Sequence, residues 1–182
     1  MDIQDIERKV GRDNDAGLKT KMYFGRSRDV AVWPNVPAVP AVLSDRVTLE
    51  GDFEMKVGTR FGFIEGHVEK NNFTHSGAGQ VGNSSAANQL TFFMYGTDPD
   101  VLGWIETYKN DDLVLIAEDL QGNLRVYGAP GLPAQIMPDW QEVGGAGVAD
   151  EKMIQINFRY VGRIAKFYSG AIPLTPAVAP EP

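Results

Sequence analysis

Between residues 153 and 160, Ile154, Ile156, Phe158 and Tyr160 alternate with Gln155, Asn157 and Arg159. A period of two is the mark of a β-strand with one face in a core. The same period recurs along the chain. Leu90, Phe92 and Met94 alternate with Phe93 and Tyr95, and Val47, Leu49, Phe53 and Met55 oppose Arg46, Thr48, Glu50, Asp52, Glu54 and Lys56. Shorter extended stretches lie at 20–24, 29–33, 113–118, 124–128, 134–137 and 163–167. The spacing predicts a hairpin of two long strands, 45–57 with 60–69, the second carrying Phe61 and Phe63 on one face. It predicts a second hairpin, 113–118 with 124–128, turning at Gly122. Many strands with turn signals between them define a mainly β fold, an antiparallel β-sandwich or a half-closed barrel.

One segment carries a helical signature. Asp98 can cap a free backbone N–H, Pro99 suits the first helical position, and Val101, Leu102, Ile105 and Tyr108 form an apolar stripe. The expectation is one α-helix at about 99–109 that flanks the sheet and covers an open end of it.

The length of 182 residues fits a single domain with its own core. Residues 17–172 are read as that β-sandwich domain. Residues 1–16 are read as an N-terminal arm, in which Ile3, Ile6 and Val10 share helical spacing. Residues 173–182, with four prolines, are read as a flexible tail. Three prolines between 34 and 40 make that stretch a surface connector. Residues 70–88 show no period, and Phe73 and Val81 are their only sizeable apolar side chains. A structureless loop of that length is uncommon inside a domain, so it is read as a long assembly loop that a partner orders.

The residues offer little for chemistry. The chain has no cysteine, which excludes thiol nucleophiles and cysteine-held metals. Gly77-Ala78-Gly79-Gln80-Val81-Gly82 matches the dinucleotide fingerprint, but no strand-to-helix passage surrounds it, so it is read as loop. Glu65, His67 and Glu69 have the spacing of one strand face, and His75 could join them around a metal; a solvated sheet face is the preferred reading. Asp111-Asp112 and Glu118-Asp119 flank a strand and are read as turn and surface acids rather than a catalytic pair. No nucleophile elbow accompanies the two histidines. The sequons at Asn72 and Asn83 are idle without export. The acidic start Met1-Asp2-Ile3-Gln4-Asp5 is unlike a signal peptide, and no apolar run reaches the ~18 residues of a membrane span. The expectation is a non-enzyme with no catalytic residues, no cofactor and no metal, not bound to a membrane.

Charge narrows the partners. The net charge is -7, from 17 Lys+Arg against 24 Asp+Glu. Residues 1–30 are nearly neutral, so the acidity sits in 31–182, which hold ten basic and eighteen acidic residues. Tight nucleic-acid binding needs the opposite field. An acidic surface suits a conduit through which DNA slides without sticking.

The block from Asn88 to Gly128 carries a resemblance. A strand, Asn88-Gln89-Leu90-Thr91-Phe92-Phe93-Met94-Tyr95-Gly96, leads to the helix after Asp98-Pro99. Lys109-Asn110-Asp111-Asp112-Leu113-Val114-Leu115-Ile116-Ala117-Glu118-Asp119 follows, then Gly122-Asn123-Leu124-Arg125-Val126-Tyr127-Gly128. This layout resembles the tail tube proteins of tailed bacteriophages, over about half of the chain. The resemblance implies a β-sandwich flanked by a helix, stacked hexameric rings, and a long loop packed between rings. It implies a structural virion protein of the tail, assembled in the host cytoplasm, whose partners are further copies of itself and other tail proteins. DNA would pass through without tight binding. Phe73, His75, Val81 and Asn83 are then the candidate assembly-loop residues. Glu50, Asp52 and Glu54, with Glu65, His67 and Glu69, are the candidate lumen faces. A tail terminator, neck, baseplate or capsid decoration protein is the alternative, and a carbohydrate-binding β-sandwich a more distant one.

Overall fold

The computed structural model describes residues 16–147 and 150–178. The expected N-terminal helix around Ile3, Ile6 and Val10 lies outside the described residues. In chain order the structure runs through β1 (Leu18–Arg26), β2 (Val30–Val32), β3 (Thr48–Leu49), β4 (Glu54–Met55), β5 (Gly62–Glu65), β6 (Asn72–Gln80) and β7 (Asn83–Tyr95). Then come α1 (Pro99–Tyr108), β8 (Leu113–Asp119), β9 (Leu124–Tyr127), β10 (Ala134–Ile136), β11 (Gln141–Val143), β12 (Met153–Val161) and β13 (Lys166–Tyr168).

The protein is mainly β, with one α-helix among the described residues and one large sheet curled into a half-barrel. One half of the sheet centres on β8, which pairs with β1 along one edge and β9 along the other. β5 continues beyond β1, and β13 and β3 continue beyond β9. The other half is β10, β12, β7 and β6, with β11 also beside β12. The halves join where Ala134 of β10 meets Leu113 of β8. Pairing is antiparallel throughout, except between β13 and β3.

The curl places the alternating faces against each other. Leu90, Phe92 and Met94 of β7 and Ile154, Ile156, Phe158 and Tyr160 of β12 share one core with Met22, Leu113, Leu115 and Tyr127 of the β8 half. A second core covers the far side of β8, where Val114, Ile116 and Val126 pack with Val30, Phe53, Met55, Phe61 and Tyr168. β8 is therefore buried on both faces, which is why its sequence is an unbroken apolar run rather than an alternation.

The helix forms as its sequence signals. The Asp98 carboxylate accepts from the Asp100 N–H, Pro99 opens the first turn, and the Lys109 N–H closes the last turn on Ile105. Ile105 is buried, and Val101, Leu102 and Tyr108 pack against the first core. Phe24, Trp104 and Tyr108 form edge-on and tilted aromatic contacts there, with ring centroids 5.1–5.3 Å apart.

Four expectations need correction. Residues 46–57 and 60–69 are not a hairpin of long strands. They break into β3, β4 and β5, which pair with β13, β2 and β1 respectively. Gly51 (φ 85°) and Gly58 (φ 80°) turn the chain between these pieces, into a region where a side chain is disfavoured. Phe61 and Phe63 do not share a face: Phe61 is buried in the second core and Phe63 is exposed. Residues 70–88 are not structureless, since β6 and β7 pair from Asn72↔Thr91 to Gln80↔Asn83. The start of the presumed flexible tail is fastened: the Phe61 N–H donates to Pro173, the Gly58 N–H to Ala177, and Ile172 and Ala177 pack on the second core.

Candidate functional site

β7 is longer than the strand it lies against. Its residues from Ala87 to Tyr95 pair with β12, the Gly162 N–H just after β12 still donates to the Ala86 carbonyl, and only β6 accompanies Asn83 to Ser85. The hairpin therefore runs on past that last contact by three residue pairs, roughly 10 Å at strand spacing, plus its turn. This distal arm is Ala78-Gly79-Gln80-Val81-Gly82-Asn83-Ser84-Ser85. Val81 stands fully exposed at the tip, and Asn83 is exposed beside it. Among the described residues β6 pairs only with β7, so its outer edge is open. A lone two-stranded ribbon without an apolar face is marginal in water, and an open edge is a template for another chain.

The glycines of the fingerprint-like motif serve this ribbon. Gly82 (φ 82°) forms the turn, and a Cβ on Gly79 (φ 104°) would sit 2.5 Å from the Asn83 carbonyl oxygen. They lie in β6 and in its turn to β7, not between a strand and a helix, so the nucleotide geometry is absent there.

The root of the arm is anchored. Phe73 and His75, two apart on β6, face inward across the half-barrel onto β9. His75 Nε2 lies 3.2 Å from the Tyr127 hydroxyl, and the His75 ring rests against Phe73 at 5.0 Å between centroids. The Arg125 guanidinium lies over Phe73 and over Phe167, and its Nε donates to the buried Asp119 carboxylate at 3.4 Å. Burial and, after it, the nearby Arg125 charge hold the His75 pKa below its ordinary value. Burial also pushes the Tyr127 phenol up, out of the ordinary tyrosine range. On β7, the Asn88 side chain is buried: its amide donates to the Tyr160 and Arg163 carbonyls, and its oxygen accepts from the Ala165 N–H. An open cleft at the root is lined by His75, Ser76, Ser84, Ala86, Gly162 and Ile164, and Ile164 is exposed.

Of the candidate assembly residues, the structure thus groups Phe73 with His75 at the root and Val81 with Asn83 at the tip. The candidate lumen residues divide. Glu50, Asp52 and Glu54 are exposed on the chain that covers the second core, where the Asp52 carboxylate accepts from the Ala171 N–H at 2.9 Å. Glu65 ends β5 and pairs with Lys21 at 3.0 Å, while His67 and Glu69 lie beyond the strand. His67 stacks on Tyr95 at 4.0 Å, and Glu69 takes a positive φ of 67°. These three do not form one strand face, and among the described residues no group of three or more His, Cys, Asp or Glu could hold a metal ion.

The acid pairs engage neighbouring side chains and one turn. Asp111 accepts from Arg26 Nε at 2.6 Å, Asp112 from the Gln135 amide at 3.0 Å, and Glu118 pairs with Lys19. Asp119 accepts from the Asn123 N–H and side-chain amide, which closes the β8–β9 turn. Two features were hidden in the sequence. The Phe73–His75–Tyr127–Arg125 contact joins positions about fifty residues apart, and a cleft with Arg163 and Lys166 at its mouth gathers residues from four separate segments. Neither has a local signal. No helix among the described residues is long and apolar enough to cross a membrane.

No known protein family, curated protein or solved structure matches this chain.

Proposed function

We propose that this protein is a structural subunit that self-assembles into rings, which stack into a tube of the kind that tailed bacteriophages use to pass DNA. The observation that carries the reading is the β6–β7 arm. It extends past the sheet, has no apolar face of its own, keeps an open edge, and is fastened at its root by Phe73, His75 and Asn88. A rigidly rooted arm with an uncovered ribbon is a part that another subunit completes. The net charge of -7 supports the conduit, since a wall rich in Lys and Arg would hold phosphates. The mainly β fold with one covering helix supports the reading at the level of fold class. Of the two acidic groups, the exposed Glu50, Asp52 and Glu54 remain the better candidates for the lumen wall.

Negative-stain electron microscopy of the purified protein tests the reading directly. Rings or tubes are expected at high protein concentration. A particle that stays monomeric at every concentration and salt condition would sink it.

A further inference from the structure

The loop between β12 and β13 turns its residues to opposite sides. Gly162 and Ile164 line the cleft at the arm root, whereas Arg163 lines a different cleft with Lys166, Tyr160, Trp33, Val36, Leu49 and Pro130. Three properties of this second cleft suit it to an anion.

First, it holds two cations and no counter-charge. Neither Arg163 nor Lys166 makes an ion pair among the described residues, although the chain carries seven more acidic than basic residues. Lys166 donates only to the Arg46 carbonyl. Burial and the neighbouring Arg163 both work against its charge, so an anion between the two would relieve both. Second, the Tyr160 ring is buried, whereas its hydroxyl is open to solvent and makes no hydrogen bond among the described residues. Tyr160 lies on the cleft wall within the field of Arg163. A hydroxyl that meets solvent there is free to donate to a group that enters the cleft. Third, the space is small, about 100 Å³. A carboxylate side chain fits such a space.

We infer that this cleft receives an aspartate or glutamate side chain from a second copy of the chain, gripped by Arg163 and Lys166 and hydrogen-bonded by the Tyr160 hydroxyl. Charge complementarity names the occupant. Glu54, Asp100, Asp139 and Glu142 are exposed and make no ion pair among the described residues, so each copy offers unpaired acids to its neighbour's unpaired cations. Trp33, Val36 and Leu49 give the contact an apolar rim that excludes water and strengthens it. Asn88 holds the Arg163 carbonyl and also belongs to the strand that carries the arm. The cleft and the arm are therefore rigidly linked parts of one assembly surface. This inference rests on the self-assembly reading above.

Sedimentation velocity of the full chain over a concentration series separates the two. The comparison is wild type against R163E and R163E/K166E, with melting temperatures measured alongside. Arg163 is exposed, so R163E is the variant that keeps its fold if the double one does not. The expected result is that wild type associates and that R163E raises the concentration needed by about tenfold or more, as loss of an interfacial charge contact does. R163Q and Y160F should weaken association by smaller factors. If wild type associates and R163E associates equally well, the cleft is not a subunit contact, and the assembly reading stands without it. If wild type never associates, both fail. If citrate binds wild type but not R163E, by calorimetry, without shifting association, the cleft is a small-anion site and the second copy is not its occupant.

Discussion

His75 Nε2 of the arm and the Tyr127 hydroxyl of the opposite sheet half meet at 3.2 Å, and this contact closes the half-barrel at the arm root. Burial disfavours the charged form of both groups. Protonating His75 would place a cation beside Arg125, in a site that already disfavours charge.

The contact makes stability fall with acid. The folded protein holds the His75 pKa below its ordinary 6.5, so below that pH the unfolded chain binds more protons at this position. The contribution is fully present above about pH 6.5, shrinks as the pH falls toward the lowered folded value, and is gone beneath it. Urea unfolding between about pH 5 and 8 should show this slope, and H75F should flatten it while the carboxylate contributions stay. Identical pH profiles for the two proteins would remove His75 from the account.

The arm should be separable from the fold. Replacing residues 78–85 by Asn-Gly would close the Gly77↔Ala86 pair with a two-residue turn and spare Phe73, His75 and Asn88. The shortened protein should melt within a few degrees of wild type and fail to form tubes. In the free monomer, limited proteolysis should cut first at the exposed tip around Val81. A shortened protein that still forms tubes would show that the arm is not an assembly element.

The helix is a structural cover, and its residues should rank by burial. Ile105 is 1% exposed, while Leu102 is half-buried. Ile105→Ala should destabilise by ~2–5 kcal/mol through lost transfer energy and the cavity left behind. At ~2–4 °C per kcal/mol for a chain of this size, that is a large drop in melting temperature. Leu102→Ala should cost less. Equal melting curves for wild type and Ile105→Ala would contradict the packing of α1.

How much of this could be read from the sequence depends on where each signal is stored. Asp98 and Pro99 act on their own helix, so α1 was legible to within a residue or so. The alternation of β12 and the Gly122 turn (φ 86°) of β8–β9 are likewise local. β6 was missed because Ser76, Gly77, Ala78 and Gly79 have no strand preference, and pairing with β7 alone holds them extended. The 46–57 alternation was real, since Phe53 and Met55 are buried and Glu54 is exposed. It did not make a long strand because Gly51 bends the chain in its middle. The candidate site was half legible. Phe73 and His75 stood out in a polar stretch, but Tyr127, Arg125, Arg163 and Tyr160 become neighbours only through the curl of the sheet.

The Asp119 network should be worth more than the surface ion pairs. Asp119 is 4% exposed and accepts from Asn123 and Arg125, whereas Lys19–Glu118 and Lys21–Glu65 are open to solvent. Asp119→Ala leaves the Arg125 charge partly buried without its partner and should cost ~3–5 kcal/mol. Asp119→Asn keeps one acceptor and should cost less. Lys21→Ala should stay within ~1 kcal/mol. Chemical denaturation of the three variants reads the ranking, and a harmless Asp119→Ala would mean that the β8–β9 turn does not depend on this carboxylate.

The last prediction concerns DNA. A duplex-binding protein gains affinity by setting Lys and Arg against phosphates, and loses it steeply as salt rises. Here many of the cations are already engaged: Lys19, Lys21, Arg26, Lys70, Lys109 and Arg125 each face a carboxylate of the same chain. Arg163 and Lys166 are two cations at one cleft, fewer than a duplex-binding surface needs. The exposed acids at Glu50, Asp52 and Glu54 would repel phosphates along any wall they line. Free and assembled protein should therefore show no measurable affinity for duplex DNA at moderate salt in a mobility-shift or anisotropy titration. Tight, salt-sensitive binding by either form would mean that the protein holds DNA rather than letting it pass, and the conduit reading would have to be given up.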